Sequence, residues 1–212
     1  MMNRLILLVS AAAVVAAHHE RFPQPPQLRA IALVANPAGK EITGNITFTE
    51  LADGKVHVQG SLYGLPAGHY GFHVHEKGDI TGGCLSTGAH FNPEHRDHGH
   101  PNDENRHVGD LGNVAFDENK WSQIDFVDNM IALQGPHCII GRAVVLHEKG
   151  DDFGRSDHPD SKKTGNAGGR VACGVIGILS SNSCCGNSAP GTLVSSWIYV
   201  TVMILSLFNI KC

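Results

Sequence analysis

Histidine is the residue type in this sequence that most directly suggests chemistry. The chain has 14 histidines, and most of them lie between His57 and His107. The imidazole ring is the commonest metal ligand in proteins, and its proton exchanges near neutral pH. A cluster this dense therefore predicts a metal site.

Two of these histidines, His73 and His75, are two residues apart in a β-rich segment. Side chains alternate along a strand, so both rings face the same side, about 7 Å apart. His147 ends another apolar segment, residues 144–147. If the two strands are neighbours, three imidazoles converge at one end. A solvated strand face and a strand-capping histidine remain the alternatives.

A long loop supplies a second group, made of His90, His98 and His107, with Asp110 three residues further on. Three imidazoles and one carboxylate form a tetrahedral ligand set that suits zinc. A polar surface loop is the alternative, but it does not explain so many ligand-type residues in one segment.

The elements that must position these residues are short and β-rich. Turn residues (Gly, Pro, Asn and Asp) separate eight predicted strands: residues 30–35, 41–48, 55–61, 70–75, 112–116, 123–127, 139–147 and 171–178. This spacing predicts an all-β sandwich or barrel. Two stretches, 76–111 and 148–170, interrupt the pattern as long loops, and loops of this length often carry function.

Composition limits the classes of protein that remain. A chain of 212 residues that is 42% hydrophobic and 17% charged is long enough for one globular domain and too apolar to be disordered. The 16 basic and 20 acidic residues give a formal net charge of −4. Without a basic run, a nucleic-acid-binding surface is not expected.

Both ends differ from the central domain, which we place at residues 30–180. Residues 1–17 have one early positive charge, an apolar run and small residues at its end, which predicts a signal peptide rather than a buried first element. A Pro-rich arm, 18–29, follows. A small, polar spacer, 181–192, precedes an uncharged apolar tail, 193–210, which predicts either a glycolipid-anchor signal or a transmembrane helix.

Four motifs closely resemble copper/zinc superoxide dismutases. They are GFHVHE at 71–76, GAHFNP at 88–93, RHVGDLGN at 106–113 and GNAGGRVACG at 165–174. The resemblance extends in order over residues 30–179. It implies an eight-stranded Greek-key β-sandwich or flattened barrel, immunoglobulin-like, with one copper and one zinc ion per subunit. It also implies an enzyme that converts superoxide to oxygen and hydrogen peroxide by Cu(II)/Cu(I) cycling.

The resemblance assigns roles residue by residue. Copper would be bound by His73, His75, His90 and His147, and zinc by His90, His98, His107 and Asp110. His90 would thus bridge the two metals and carry a proton during turnover. Asp151 would orient one ligand of each metal. Arg170 would guide the anion, with Thr164 and Lys163 in the channel, and Cys84 would pair with Cys173.

The same resemblance, with the two ends of the chain, implies an extracellular enzyme held at the membrane by its tail. It also implies a homodimer, and copper supply by a chaperone is a further expectation. Asn45 begins a glycosylation sequon that an exported chain could use or leave unused. Cys138 is expected to be a buried thiol in a β segment, whereas the roles of Cys184 and Cys185 stay open. A metal-delivery module and an adhesion-type sandwich are the competing interpretations.

Overall fold

The computed structural model describes residues 27–39 and 41–180. The expected signal peptide, most of the arm, the spacer and the apolar tail lie outside these residues. The described chain forms eight strands and two short helical turns. The strands are β1 (Arg29–Ala35), β2 (Thr43–Glu50), β3 (Val56–Tyr63), β4 (Gly68–His75), β5 (Asp110–Phe116), β6 (Trp121–Asp128), β7 (Ala143–His147) and β8 (Arg170–Ser180); the turns are a 3₁₀ helix, Gly83–Thr87, and α1, Ser161–Thr164.

The eight strands form one antiparallel sheet in the order β5-β4-β7-β8-β1-β2-β3-β6. The two strands at the ends of this order, β5 and β6, are consecutive in the chain and are joined by a tight turn at residues 117–120. The sheet therefore curls into a nearly closed barrel, which confirms the predicted all-β class.

The strand predicted at residues 139–147 begins only at Ala143, and the environment predicted for Cys138 also differs. Residues 139–142 belong to a turn, in which the Arg142 amide donates to the Ile139 carbonyl at 3.1 Å. Gly141, with φ of +81°, supplies the left-handed backbone for this turn. Cys138 forms an isolated bridge with Ala132 and is half-buried, so the expectation of a buried thiol within a strand was wrong. Ile139 and Ile140 in this segment pack on the barrel core, which accounts for their apolar character without an extended strand.

Strand alternation separates the core from the site. Phe72 and Val74 on β4 are fully buried in the barrel core, so His73 and His75 point away from it. On β7, Leu146 faces the core, whereas its neighbours Val145 and His147 face outward. All five residues of β7 are nevertheless buried, because the long loops cover its outer face.

The first long loop, residues 76–109, is tied to β8 by a disulfide between Cys84 and Cys173, which are 89 positions apart in sequence. Both cysteines pack with Val145 in a small apolar cluster separate from the barrel core. The cluster holds the loop against the outer face of β7.

Within residues 27–39 and 41–180, no helix has the length and apolar character that crossing a bilayer requires.

Candidate metal centre

Two neighbouring strands present the first three histidines of the site. In the β4–β7 register, His73 lies opposite Val145 and Phe72 lies opposite Leu146, so the outward rings of both strands share one face. His147, the last residue of β7, lies opposite Arg170, the first residue of β8. The sequence predicted that His73, His75 and His147 converge if their strands are neighbours, and β4 and β7 are neighbours.

His90 reaches the same face because the first long loop pairs with the end of β4. His75 and His90 form an isolated antiparallel bridge. On either side of this bridge, the Glu76 amide donates to the Ala89 carbonyl at 2.9 Å and the Phe91 amide donates to the Val74 carbonyl at 2.8 Å. The backbone thus fixes the place of His90 beside the two strand histidines.

The first group consists of four buried histidines, each of which offers one ring nitrogen within 4.8 Å of the others: His73, His75, His90 and His147. In each of these four rings one nitrogen already has a protein partner, and the partner of His90 is described with the second group below. His73 Nε2 lies 2.9 Å from Asp151 Oδ2, His75 Nδ1 lies 2.9 Å from the Gly88 carbonyl, and His147 Nδ1 lies 3.3 Å from the Gly168 carbonyl. These contacts leave the other nitrogen of each ring for a ligand.

The second group consists of His90, His98, His107 and Asp110, also within 4.8 Å. Asp110 Oδ1 lies 2.9, 3.0 and 3.1 Å from the Nδ1 atoms of His90, His98 and His107. Its Oδ2 accepts hydrogen bonds from the amides of Gly99 and His107. One carboxylate therefore faces three imidazoles, a donor set that suits zinc.

The His90 ring belongs to both groups. Its Nδ1 faces Asp110 in the second group, whereas its Nε2 is buried and has no hydrogen-bond partner among the described residues. His73 Nδ1 is buried without a partner in the same way. Because buried polar atoms normally find a partner, these nitrogens fit a metal ion between the rings. The nitrogen-only group suits copper, and the mixed group suits zinc.

Asp151 connects the two groups. Its Oδ2 contacts His73, while its Oδ1 lies 2.7 Å from His98 Nε2. Asn113 in turn holds the Asp151 backbone through two hydrogen bonds. Gly165, with φ of +65°, packs directly on this carboxylate, where a Cβ would overlap both Asp151 and the His98 ring. His73, His98 and Asp151 also lie close enough together to hold a metal ion. The hydrogen bonds between the two rings and the Asp151 carboxylate account for their closeness.

Burial sets the protonation of the first group. It lowers the pKa of His147 to about 3, and the nearby His90 ring and Arg170 guanidinium add to the effect. Burial and the His90 ring likewise lower the pKa values of His73 and His75. Neutral rings are the form that binds a metal.

Carboxylates dominate the second group. Burial lowers the pKa of His98, but Asp110 and Asp151 outweigh burial and raise it to about 9. Burial also opposes the ionisation of Asp110, yet hydrogen bonds from the three surrounding histidines hold the pKa of Asp110 well below its usual range. The Asp110 carboxylate is therefore ionised.

The remaining predicted residues lie on β8, in the second long loop and on β2. Arg170 is half-buried beside His147, and its Nη1 donates to the Cys84 carbonyl at 2.9 Å. Thr164 and Lys163 are exposed on α1, in the second long loop, residues 148–169. Asn45 is exposed on β2, opposite Leu33 of β1.

Several residues that support the ligands were not found from the sequence. The Gly88 and Gly168 carbonyls hold two histidine rings, and a backbone acceptor leaves no residue-type signal. Asn113, in contrast, lies inside the motif at 106–113, three residues after Asp110, and could have been singled out there.

Known proteins resemble this chain over most of its length. The sequence model of a family described as copper/zinc superoxide dismutase matches residues 42–176. The chain is 47% identical over 182 residues to the extracellular superoxide dismutase [Cu-Zn] of Drosophila melanogaster, which covers 84% of this chain and 99% of that protein. A crystal structure titled as that of the clock protein EA4 has 73% sequence identity and a TM-score of 0.69, over 76% of this chain and 99% of that one.

Replacing Asp110 by Asn keeps the shape of the side chain and removes the charge that faces three imidazoles. Removing one partner from a buried set of charges costs about 3–5 kcal/mol, so we expect zinc affinity to fall by about a hundredfold or more. Competition with a chromogenic chelator measures this affinity. Glu104→Gln, at an exposed carboxylate of the same loop, is the matched control and is expected to bind zinc normally. Equal affinities for the two variants would contradict the assignment.

Proposed function

The chain belongs to the copper/zinc superoxide dismutase family, and from this premise we propose how its residues divide the work of the reaction. This oxidoreductase converts two superoxide ions and two protons into one molecule of oxygen and one of hydrogen peroxide. An electron must leave one superoxide ion and reach another, and no organic side chain cycles in that way at neutral pH. Copper, when bound, supplies this one-electron couple, and zinc supports the site.

In our assignment the four-histidine group holds copper, and the group that contains Asp110 holds zinc. The observation that carries this assignment is the His90 ring, whose two nitrogens face different groups while Nε2 lacks any partner among the described residues. When both groups are filled, a ring in this position would offer one nitrogen to each ion. Asp151, with one oxygen on His73 and the other on His98, keeps a ligand from each group in a fixed orientation.

His90 Nε2 would hold one of the two protons that hydrogen peroxide requires, and the second would come from the solvent. This atom faces the copper group, where the substrate reacts, whereas Nδ1 is engaged at the zinc group. The ring can therefore release and regain the proton without turning.

Arg170 guides the superoxide anion, with Lys163 and Thr164 at the mouth of the channel. The guanidinium lies beside His147, and its charge acts on the His75 and His147 rings. The formal net charge of the whole chain is −4, which alone would repel an anion. However, a cleft focuses the local field, and charges more than about 10 Å away are screened at 0.1 M salt.

The bridge can be tested by loading copper into both groups. An imidazolate between two Cu(II) ions couples their spins, so we expect the electron paramagnetic resonance signal of isolated Cu(II) to be lost. His90→Gln removes the bridge, and its dicopper form should show two uncoupled ions and a loss of dismutase activity of at least tenfold, or about 1.4 kcal/mol in the barrier. His69→Gln, at an exposed histidine on β4, is the matched control and should keep the coupling.

Two uncoupled Cu(II) signals from the parent protein, with both groups filled, would overturn the bridging assignment. Activity is measured in parallel by inhibition of superoxide-driven dye reduction. The zinc-only protein, which lacks a redox-active ion, should be inactive in this assay.

We also propose that the enzyme works outside the cell and is tethered to the membrane. The extracellular relative, the signal-like residues 1–17 and the disulfide support export. The spacer and the uncharged tail, 193–210, support a glycolipid anchor that replaces the tail. The sequon asparagine, Asn45, is exposed on β2 and therefore accessible to a glycan.

Intact-mass analysis of the product from a secretory host tests these end-processing steps together. We expect a chain that begins near His18, lacks the tail and carries lipid and glycan mass. The glycan mass should disappear in Asn45→Gln. A mass that corresponds to all 212 residues would contradict the processing, whereas a retained tail without lipid would identify a transmembrane helix.

We further propose that two copies pair through an exposed apolar face on β1 and β8. Leu33 is 72% exposed and Val175 is 37% exposed, which is unusual for such side chains on neighbouring strands. The first long loop continues this face, because Gly78 packs close to Val175 and Ile80 is 44% exposed. A self-complementary apolar patch of this kind favours a twofold dimer. Because Asn45 lies opposite Leu33 on the same face, a glycan at Asn45 would block this interface, so the dimer is proposed, and tested, for the unglycosylated form.

Leu33→Asp places a charge in the centre of this face, and we expect it to convert the dimer to monomer in sedimentation velocity experiments. The fold should tolerate the change, since the side chain is mostly exposed. Val127→Asp, at an exposed valine on β6, is the control and should leave the dimer intact. If Leu33→Asp sediments like the parent, this face is not the interface.

A further inference from the structure

Thr87 is a buried polar residue that none of the roles above uses. It is the last residue of the 3₁₀ helix Gly83–Thr87 and is fully buried. Its hydroxyl donates to the Cys84 carbonyl at 2.8 Å and accepts from Nη1 of Arg170 at 3.0 Å. We propose that Thr87 is a positioning residue that fixes the guanidinium of Arg170; this inference rests on the proposed role of Arg170 in guiding the anion.

The contacts of Arg170 are all on one side of its guanidinium. Nη1 is close to three acceptors: the Cys84 carbonyl at 2.9 Å, the Leu85 carbonyl at 3.2 Å and the Thr87 hydroxyl. Among the described residues, no acceptor is bonded to Nη2 or Nε. The planar guanidinium is therefore held by one end, and its other donors stay available for an anion.

The hydroxyl contributes something that the two carbonyls do not. Both carbonyls belong to the backbone of the 3₁₀ helix and would be present with any side chain at position 87. The Thr87 hydroxyl donates its only proton to the Cys84 carbonyl, so towards Arg170 its oxygen acts as an acceptor. Its β-branched side chain has a restricted χ1 angle, which limits the directions from which it accepts.

A purely structural role is the alternative, in which Thr87 only completes the end of the helical turn. Ser86 separates the two possibilities. Its hydroxyl bonds to the Gly82 amide and to the carbonyls of Asp79 and Gly83, so it stabilises the same loop without touching Arg170. Ser86→Ala therefore reproduces a loosened loop with the Arg170 contact left intact.

The variants Thr87→Val, Thr87→Ser, Ser86→Ala and Arg170→Leu are compared in the full-length, metal-loaded enzyme and in its metal-free form. The first readout is the rate at which phenylglyoxal, an arginine-selective dicarbonyl, modifies Arg170, followed by peptide mapping. The second is kcat/KM and its decrease with salt. The third is inhibition by inorganic phosphate, an anion that competes at a guanidinium.

For Thr87→Val, which keeps the shape and loses the hydroxyl, we expect Arg170 to be modified about two- to fivefold faster, with or without metal. We expect kcat/KM to fall and the phosphate inhibition constant to rise by a similar factor. Thr87→Ser should restore most of the difference, and Ser86→Ala should resemble the parent. Adding Thr87→Val to Arg170→Leu should cause no further loss of activity, because Thr87 acts through Arg170.

Unchanged modification and unchanged kcat/KM in Thr87→Val would overturn the inference, as would a Ser86→Ala variant that matches it. An additional loss in the double variant would also overturn it. If Arg170→Leu itself keeps the parent kcat/KM and salt dependence, the anion-guiding role fails instead, and the modification rate still reports on the contact with Thr87.

Discussion

The burial of six histidines and two aspartates in one cluster is the constraint on which the rest of the structure depends. Polar rings removed from water are costly unless each nitrogen has a partner. The protein supplies a partner for one nitrogen of nearly every ring and leaves the second nitrogen facing the group. Metal ions at the two groups would supply the missing partners, which is how so many buried polar rings can be stabilised.

The scaffold meets this constraint by building the cluster outside the barrel core. Strand alternation keeps Phe72 and Val74 in the core and turns His73 and His75 to the outer face. Two long loops then cover that face, one of them tied down by the Cys84–Cys173 disulfide. The cluster is therefore enclosed without disturbing the packing of the barrel, and Asp151 and Arg170 are delivered from the second loop and from β8.

The parts of the fold and site that could be predicted have a local signature. Short β-rich segments separated by turn residues predict the strands, and motifs such as residues 71–76 and 106–113 predict the candidate ligands through family resemblance. Prediction failed where apolar residues are buried without being in a strand: Ile139 and Ile140 pack on the core yet belong to a turn, and Cys138 lies beside that turn. The backbone acceptors at Gly88 and Gly168 and the hydroxyl of Thr87 had no signal, because their partners are distant in sequence.

By itself, the sequence determined the chemical inventory: which imidazoles and carboxylates are available, which face of a strand carries them, and which family they resemble. These properties follow from residue type and local spacing, which do not depend on distant contacts. Only the tertiary structure decided which nitrogen of each ring is occupied, that one ring belongs to two groups, and what holds Arg170 in place. Those properties depend on atoms brought together from strands and loops far apart in the chain, and their directions are set only when the chain is folded.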